Sequence, residues 1–343
     1  MLTASLISPN DPDGAPDPAH TPTPTPTPTP TETHTAIVPV QRNGQITIAE
    51  RYLAGDARAY QWRAFDAASE TGLFVTEGHR GDEDLTVVGR TGPIATLTCA
   101  RDLRCPPLDN WLSFAATLGP GADEVTVASG DGAAQVIGYD GSLRRTIDLT
   151  ATIADGEDVR GLRWSPDGGR LAVTTIHQER GEWRSASRVW LVDREGGNAQ
   201  LAYSLWQDRQ AWVDRQSRKD TPSGFDGTGV IWTASGWGWS PDGQSLLLDI
   251  VIGTNRSDVV VLHLLPDGAA SPVMAQTLYH SNRHFDWAGN VAWSPDGTRI
   301  AVRTSPPGPE YKHRVTEISA EDGSVIAQHG HLNGWLIWQA RDG

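Results

Sequence analysis

One five-residue phrase occurs three times in this chain: Trp164-Ser165-Pro166-Asp167-Gly168, Trp239-Ser240-Pro241-Asp242-Gly243 and Trp293-Ser294-Pro295-Asp296-Gly297. The order Ser, Pro, Asp, Gly suits a type I β-turn, because Pro presets φ, Asp bonds the nearby backbone and Gly tolerates the exit geometry. The Trp ahead of each turn puts apolar bulk on the incoming strand. Each turn leads into a strand-like run: Arg170 to Thr175, Ser245 to Ile250 and Arg299 to Thr304. The repeating unit is therefore strand, turn, strand. Repetition also bears on chemistry, since a catalytic nucleophile is needed once, on a strained strand-to-helix elbow. Ser240 in Gly238-Trp239-Ser240 recurs in two other turns and has Asp242 where the elbow motif requires Gly, so it belongs to the turn.

The intact copies expose weaker ones. Leu118-Gly119-Pro120-Gly121-Ala122, followed by Glu124 to Ser129, is a decayed version, and Phe65-Asp66-Ala67-Ala68 before Leu73 to Thr76 is another. Trp338 opens a sixth unit at the C-terminal end. The units recur at about 45 residues, with one long interval between Trp164 and Trp239. In the third unit four strands are expected: Gly161 to Trp164, Arg170 to Thr175, Arg188 to Asp193 and Gln200 to Tyr203. A hairpin at Glu195-Gly196-Gly197-Asn198 joins the last two. Third strands are expected at Asp258 to Leu265 and Arg314 to Ser319 in later units. Four short antiparallel strands per unit make a propeller blade.

Residues 1–35 stand apart. Thr21 to Pro30 is a run of Thr-Pro pairs, which lacks the amide donors for helix or sheet and prefers extended polyproline II. This leader is expected to be a disordered spacer, with the propeller domain spanning 36–343. Such Thr/Pro tracts resemble the stalks of bacterial surface proteins, which implies an extracytoplasmic, periplasmic, surface-anchored or secreted address, although Met1 to His20 shows neither the basic nor the apolar region of a signal peptide. The pair Cys99 and Cys105 can close a small loop as a disulfide or remain as two thiols. The formal charge of -14 disfavours nucleic acid and anionic membranes as partners. No apolar run approaches the roughly 18 residues of a membrane span.

The Trp-Ser-Pro-Asp-Gly phrase, the Leu171-Ala172-Val173 strand after it and the Trp190-Leu191-Val192-Asp193 strand further on resemble the WD40-like repeats of the TolB-like propellers. The resemblance covers about 300 residues. It implies an all-β, six-bladed propeller of four-stranded antiparallel blades. Since Trp335 to Gln339 supplies only one strand of a last blade, Ala36 to Val40 and Gln45 to Ala49 are expected to complete it and close the ring. The function this implies is a non-enzymatic, monomeric binding scaffold of the cell envelope or exterior, without cofactor or bound metal, that holds a protein, peptide or glycan on one propeller face.

The sharpest departure from the repeat is the insertion at 203–236. Trp206, Arg209, Trp212, Arg215 and Trp232 give it the aromatic and Arg composition of a recognition surface, and they are the candidate ligand-binding residues. Its first half is expected to form a short helix, broken at Thr221-Pro222-Ser223-Gly224. Packing of those Trp onto their own blade is the competing explanation. Two alternative functions stay open. One is a carbohydrate-active enzyme, faintly similar to oligogalacturonate lyases, with a metal among His280, His284, His329 and His331. The other is a truncated propeller from a larger peptidase or sensor.

Overall fold

The computed structural model describes residues 39–43, 46–49, 53–54, 57–66, 71–77, 83–89, 92–98, 115–121, 123–129, 132–153, 157–178, 185–205, 229–231, 237–252, 256–265, 273–280, 287–305, 314–329 and 335–338. The chain divides into two compact units, Met1–Glu32 and Thr33–Gly343, and every described strand belongs to the second. The expected 1–35 spacer and the Cys99 and Cys105 pair lie outside the described residues.

The strands begin with β1 (Pro39–Asn43), β2 (Ile46–Ala49) and β3 (Leu53–Ala54). A first blade follows: β4 (Ala57–Asp66), β5 (Thr71–Glu77), β6 (Glu83–Gly89) and β7 (Gly92–Thr98). The second is β8 (Ala116–Leu118), β9 (Glu124–Ser129), β10 (Ala133–Gly138) and β11 (Leu143–Asp148), and the third is β12 (Glu157–Trp164), β13 (Arg170–Gln178), β14 (Ser185–Asp193) and β15 (Gln200–Ser204). After β16 (Gly229–Ile231) comes the fourth: β17 (Gly238–Trp239), β18 (Ser245–Ile252), β19 (Arg256–Leu264) and β20 (Val273–His280). The fifth is β21 (Trp287–Trp293), β22 (Arg299–Ser305), β23 (Arg314–Ser319) and β24 (Val325–His329), and β25 (Trp335–Trp338) is last. Within each blade the strands pair antiparallel in chain order. The first strand of each blade packs beside that of the blade before it, in the succession β4, β8, β12, β17, β21, and β25 then packs beside β21. This is a β-propeller, as the repeat implied.

The core lies between blades. Leu73, Leu85 and Val87 of the first blade pack on Val125, Val127 and Ile137 of the second. Ala134, Val136 and Ile147 of the second meet Leu162, Leu171 and Val173 of the third. Ala172, Val189 and Leu191 of the third meet Leu246, Leu248 and Ile250 of the fourth, and Leu247, Val259 and Val261 of the fourth meet Val291, Ile300 and Val302 of the fifth. A second strand such as β18 is thus buried on both faces, Leu246 toward one neighbour and Leu247 toward the other. That explains the consecutive Leu246-Leu247-Leu248 where a half-exposed strand would alternate. Each such Leu, fully buried, contributes about 1.5–3 kcal/mol.

The expected blade count is corrected. Among the described residues five blades are four-stranded, and the strands assigned to a sixth form a three-stranded sheet ordered β1-β2-β25. Its pairing brings Ile46 opposite Trp338 and Ala49 opposite Trp335, so N-terminal strands do join the C-terminal strand. Among the described residues no fourth strand joins this sheet, because β3 pairs with β4. Leu53 pairs with Arg58 and Ala54 with Ala57, and this ties β3 to the first blade.

Candidate functional site

The repeated phrase forms one hydrogen-bonded device at three places. In the third blade Ser165 N donates to Arg170 O at 2.8 Å and Gly168 N to Ser165 O at 2.8 Å. The Ser165 hydroxyl donates to Asp167 Oδ1 at 2.6 Å, and Asp167 Oδ1 also accepts Gly169 N at 2.9 Å. Ser240 with Asp242 and Ser294 with Asp296 repeat these bonds. The turn glycines sit at φ of +66°, +68° and +70°, the left-handed region that favours Gly. The hydroxyl bond holds all three carboxyls below the usual range, and Asp296 falls to about 2. In the turns joining third and fourth strands Asp140 is lowered chiefly by the Ser142 hydroxyl, and Asp322 first by the Ser324 amide and then by its hydroxyl.

Each Trp of the phrase clasps the preceding blade. Trp164 Nε1 donates to Thr126 Oγ1 at 2.8 Å, Trp239 Nε1 to Arg163 O at 3.0 Å and Trp293 Nε1 to Gly238 O at 3.3 Å. These rings are architecture. Between the third and fourth turns a groove of about 330 Å³ is lined by Asp167, Arg170, Asp242, Gln244, Leu264 and Leu265, among others.

The opposite end of the blades, where the chain passes from one blade to the next, has another character. Glu157, buried at the start of β12, is ion-paired with Arg188 on β14. Asp258, near the start of β19, lies 2.6 Å from His280 Nδ1 at the end of β20. In the fifth blade the link runs through mid-strand: Glu317 takes Nη1 of Arg299, from the turn side, at 3.1 Å on one oxygen and has His329 Nε2, at the end of β24, 2.6 Å from the other. Arg303 is pushed down by burial and pulled back by the charge of Asp249, itself fully buried on β18. His280 and His329 are therefore each set against a carboxylate on their own blade. His284 and His331 lie outside the described residues, and among the described residues no three metal-capable side chains gather.

Mid-height bulges mark the first strands. Partners skip a residue at Trp62/Ala64 in β4, at Val159/Gly161 in β12 and at Gly289/Val291 in β21. In the fourth blade the same level is an excursion: β16 holds Ile231 opposite Ile250 and β17 resumes with Gly238 opposite Leu247. β16 also pairs parallel with β14 through Ala186 and Gly229, so the insertion returns wedged between the third and fourth blades. Trp237, beside the excursion, lies under the Arg163 guanidinium at 5.5 Å and accepts its Nε on the carbonyl at 3.3 Å. The candidate residues Trp206, Arg209, Trp212, Arg215 and Trp232, and the expected helix, lie outside the described residues. Sequence reasoning missed the bulges. Gly161 and Gly289 were the available signal, since Gly inside a strand marks a bulge or a close approach.

No family model matches this chain, and no curated protein matches it in sequence. Among solved structures it is similar to TolB from Acinetobacter baumannii, at 13% identity over 83% of this chain and 57% of that one, with a TM-score of 0.47. It is also similar to a protein assigned as TolB from Agrobacterium tumefaciens, at 19% identity over 64% of this chain and 62% of that one, TM-score 0.37. A third likeness is to oligogalacturonate lyase from Vibrio parahaemolyticus, at 9% identity over 82% and 80%, TM-score 0.42. This chain spans less than two thirds of the length of either TolB chain. Strand order and register establish the propeller independently of these likenesses.

Proposed function

We propose that the protein is a non-enzymatic binding module, a propeller of TolB type displayed in the cell envelope or outside the cell. Its ligand, a protein, peptide or glycan, is held at the end of the blades where the insertion is rooted. The observation that carries this is the division of ionisable groups between the two ends. At the turn end, Asp167, Asp242 and Asp296 are spent on turn hydrogen bonds. Toward the other end Glu157, Asp258 and Arg160 are buried, and buried charge in a fold is retained at a cost that function commonly explains. The extracytoplasmic address is supported by the Thr/Pro composition of Thr21 to Pro30.

The test compares the intact chain with a form in which residues 206–228 are replaced by a short Gly-Ser linker, both checked for the same thermal transition. Loss of a saturable envelope partner on replacement is the expected result. Identical partner profiles would remove the insertion from the function.

A further inference from the structure

Arg160 is the extra residue of the β12 bulge: Val159 pairs with Thr175 and Gly161 with Thr174, leaving Arg160 opposite neither. Its side chain is only 9% exposed, and Nε and Nη1 are buried with no hydrogen-bond partner. The nearest carboxylate is Asp158, whose Oδ2 lies 3.8 Å from Nη2, beyond hydrogen-bond reach, on a side chain 67% exposed. A guanidinium has donors and no acceptors, so only an acceptor can satisfy it. Burying it with those nitrogens unsatisfied is costly, because desolvation outweighs what the distant, exposed Asp158 returns. Directly across the bulge, the hydroxyls of Thr174 and Thr175 are fully buried and also lack partners. Unpaired buried polar groups thus gather at one place on the first two strands of the third blade, the blade whose last strand leads into the insertion.

We propose that the β12 bulge is a binding site for a single oxyanion, a carboxylate or phosphate group, with Arg160 as its principal donor and Thr174 or Thr175 as a second. Bulges re-aim side chains and cluster next to functional sites. The oxyanion brings acceptors within hydrogen-bond reach of Nε and Nη1, which Asp158 at 3.8 Å from Nη2 does not supply, and a hydrogen bond between two charged groups is among the stronger ones available. The site rests on the binding-module reading and gives its ligand a chemistry. It does not depend on the insertion, so partner capture and anion binding can fail separately.

The experiment measures thermal unfolding of the full chain in inorganic phosphate and in acetate, against chloride at matched ionic strength. The wild type is expected to gain a saturable increase in midpoint with at least one of the two oxyanions. Response to phosphate alone assigns the site to phosphorylated ligands, and response to acetate assigns it to carboxylates. Arg160→Met is expected to bind about tenfold more weakly or worse. In chloride it should unfold no earlier than the wild type, because it removes a buried charge whose nearest counter-charge, the exposed Asp158, stands beyond hydrogen-bond reach. Should Arg160→Met not fold, Arg160→Lys keeps the charge with a different reach, and its oxyanion response should still fall. Equal midpoints in all three salts, or an oxyanion response unchanged in the variants, would overturn the proposal.

Discussion

The indole nitrogen of Trp239 donates to the Arg163 carbonyl of the preceding blade, and its ring is buried with Ala172 and Leu246. Trp239→Phe keeps most of the packing and removes that bond, so a loss of about 1–2 kcal/mol is expected by urea unfolding. Trp239→Ala should cost about 3–5 kcal/mol. A ring serving only as a ligand contact would leave stability unmoved. The turn carboxylates make a second residue-scale case, this time through pH. The Ser294 hydroxyl and then the Thr298 amide hold Asp296 at about 2, against an ordinary 3.8. A depressed folded-state pKa contributes stability that is complete above the unfolded value and is lost as pH falls through the folded one. The wild type should therefore lose stability between about pH 4 and pH 2. Asp296→Asn should be less stable than wild type at pH 7 and converge with it near pH 2, which a series of urea midpoints across that range would check.

Hairpins are where blades touch, and two glycines separate backbone strain from steric overlap. A Cβ on Gly243 would meet Pro166 Cδ at 3.6 Å, an ordinary contact, so Gly243→Ala is charged only for its φ of +68°, about 1–2 kcal/mol. Gly323 has a similar φ of +74°, but a Cβ there would overlap the Leu278 carbonyl on β20 of the neighbouring blade. Gly323→Ala should cost more than ~3 kcal/mol, and equal melting shifts for the two variants would contradict this packing. At this scale much was legible in the sequence. Ser-Pro-Asp-Gly specifies its turn through local hydrogen bonds, and even the decayed copy works: Gly119 N donates to Glu124 O at 2.7 Å, with the Glu124 side chain capping Gly121 in place of the Asp. β13, β18 and β22 begin at Arg170, Ser245 and Arg299, as the turns dictate. The bulge at Arg160 was legible only as a hint from Gly161, which could equally mark a close approach, and pairing with β13 is what identifies the skipped residue. The return of the insertion as β16 escaped for a related reason. Gly229-Val230-Ile231 is too short to carry a period, and its place depends on partners in two blades at once.

For the whole molecule, the repeat specified a propeller but not the make-up of its last sheet. Each blade is fixed by contacts local in sequence, whereas β1-β2-β25 joins the two ends of the chain and depends on which neighbour β3 chooses. That sheet is the one place where the order of the ring rests on pairing across nearly the full chain length, with Thr47 opposite Ile337 and Ile48 opposite Leu336. β25 in turn packs beside β21, so losing its partners exposes the flank of the fifth blade. A chain beginning at residue 51 lacks β1 and β2 and leaves β25 with an open edge. Its backbone donors and acceptors then turn from protein to water, and its apolar side loses cover. A chain beginning at Thr33 keeps both strands and serves as the reference. Relative to that reference, the shorter chain should melt about 10 °C or more lower, at roughly 2–4 °C per kcal/mol lost. Calorimetry should also show a broader transition, since the fifth blade would open ahead of the others. An unchanged melting curve would mean that the five four-stranded blades hold the ring without the terminal sheet.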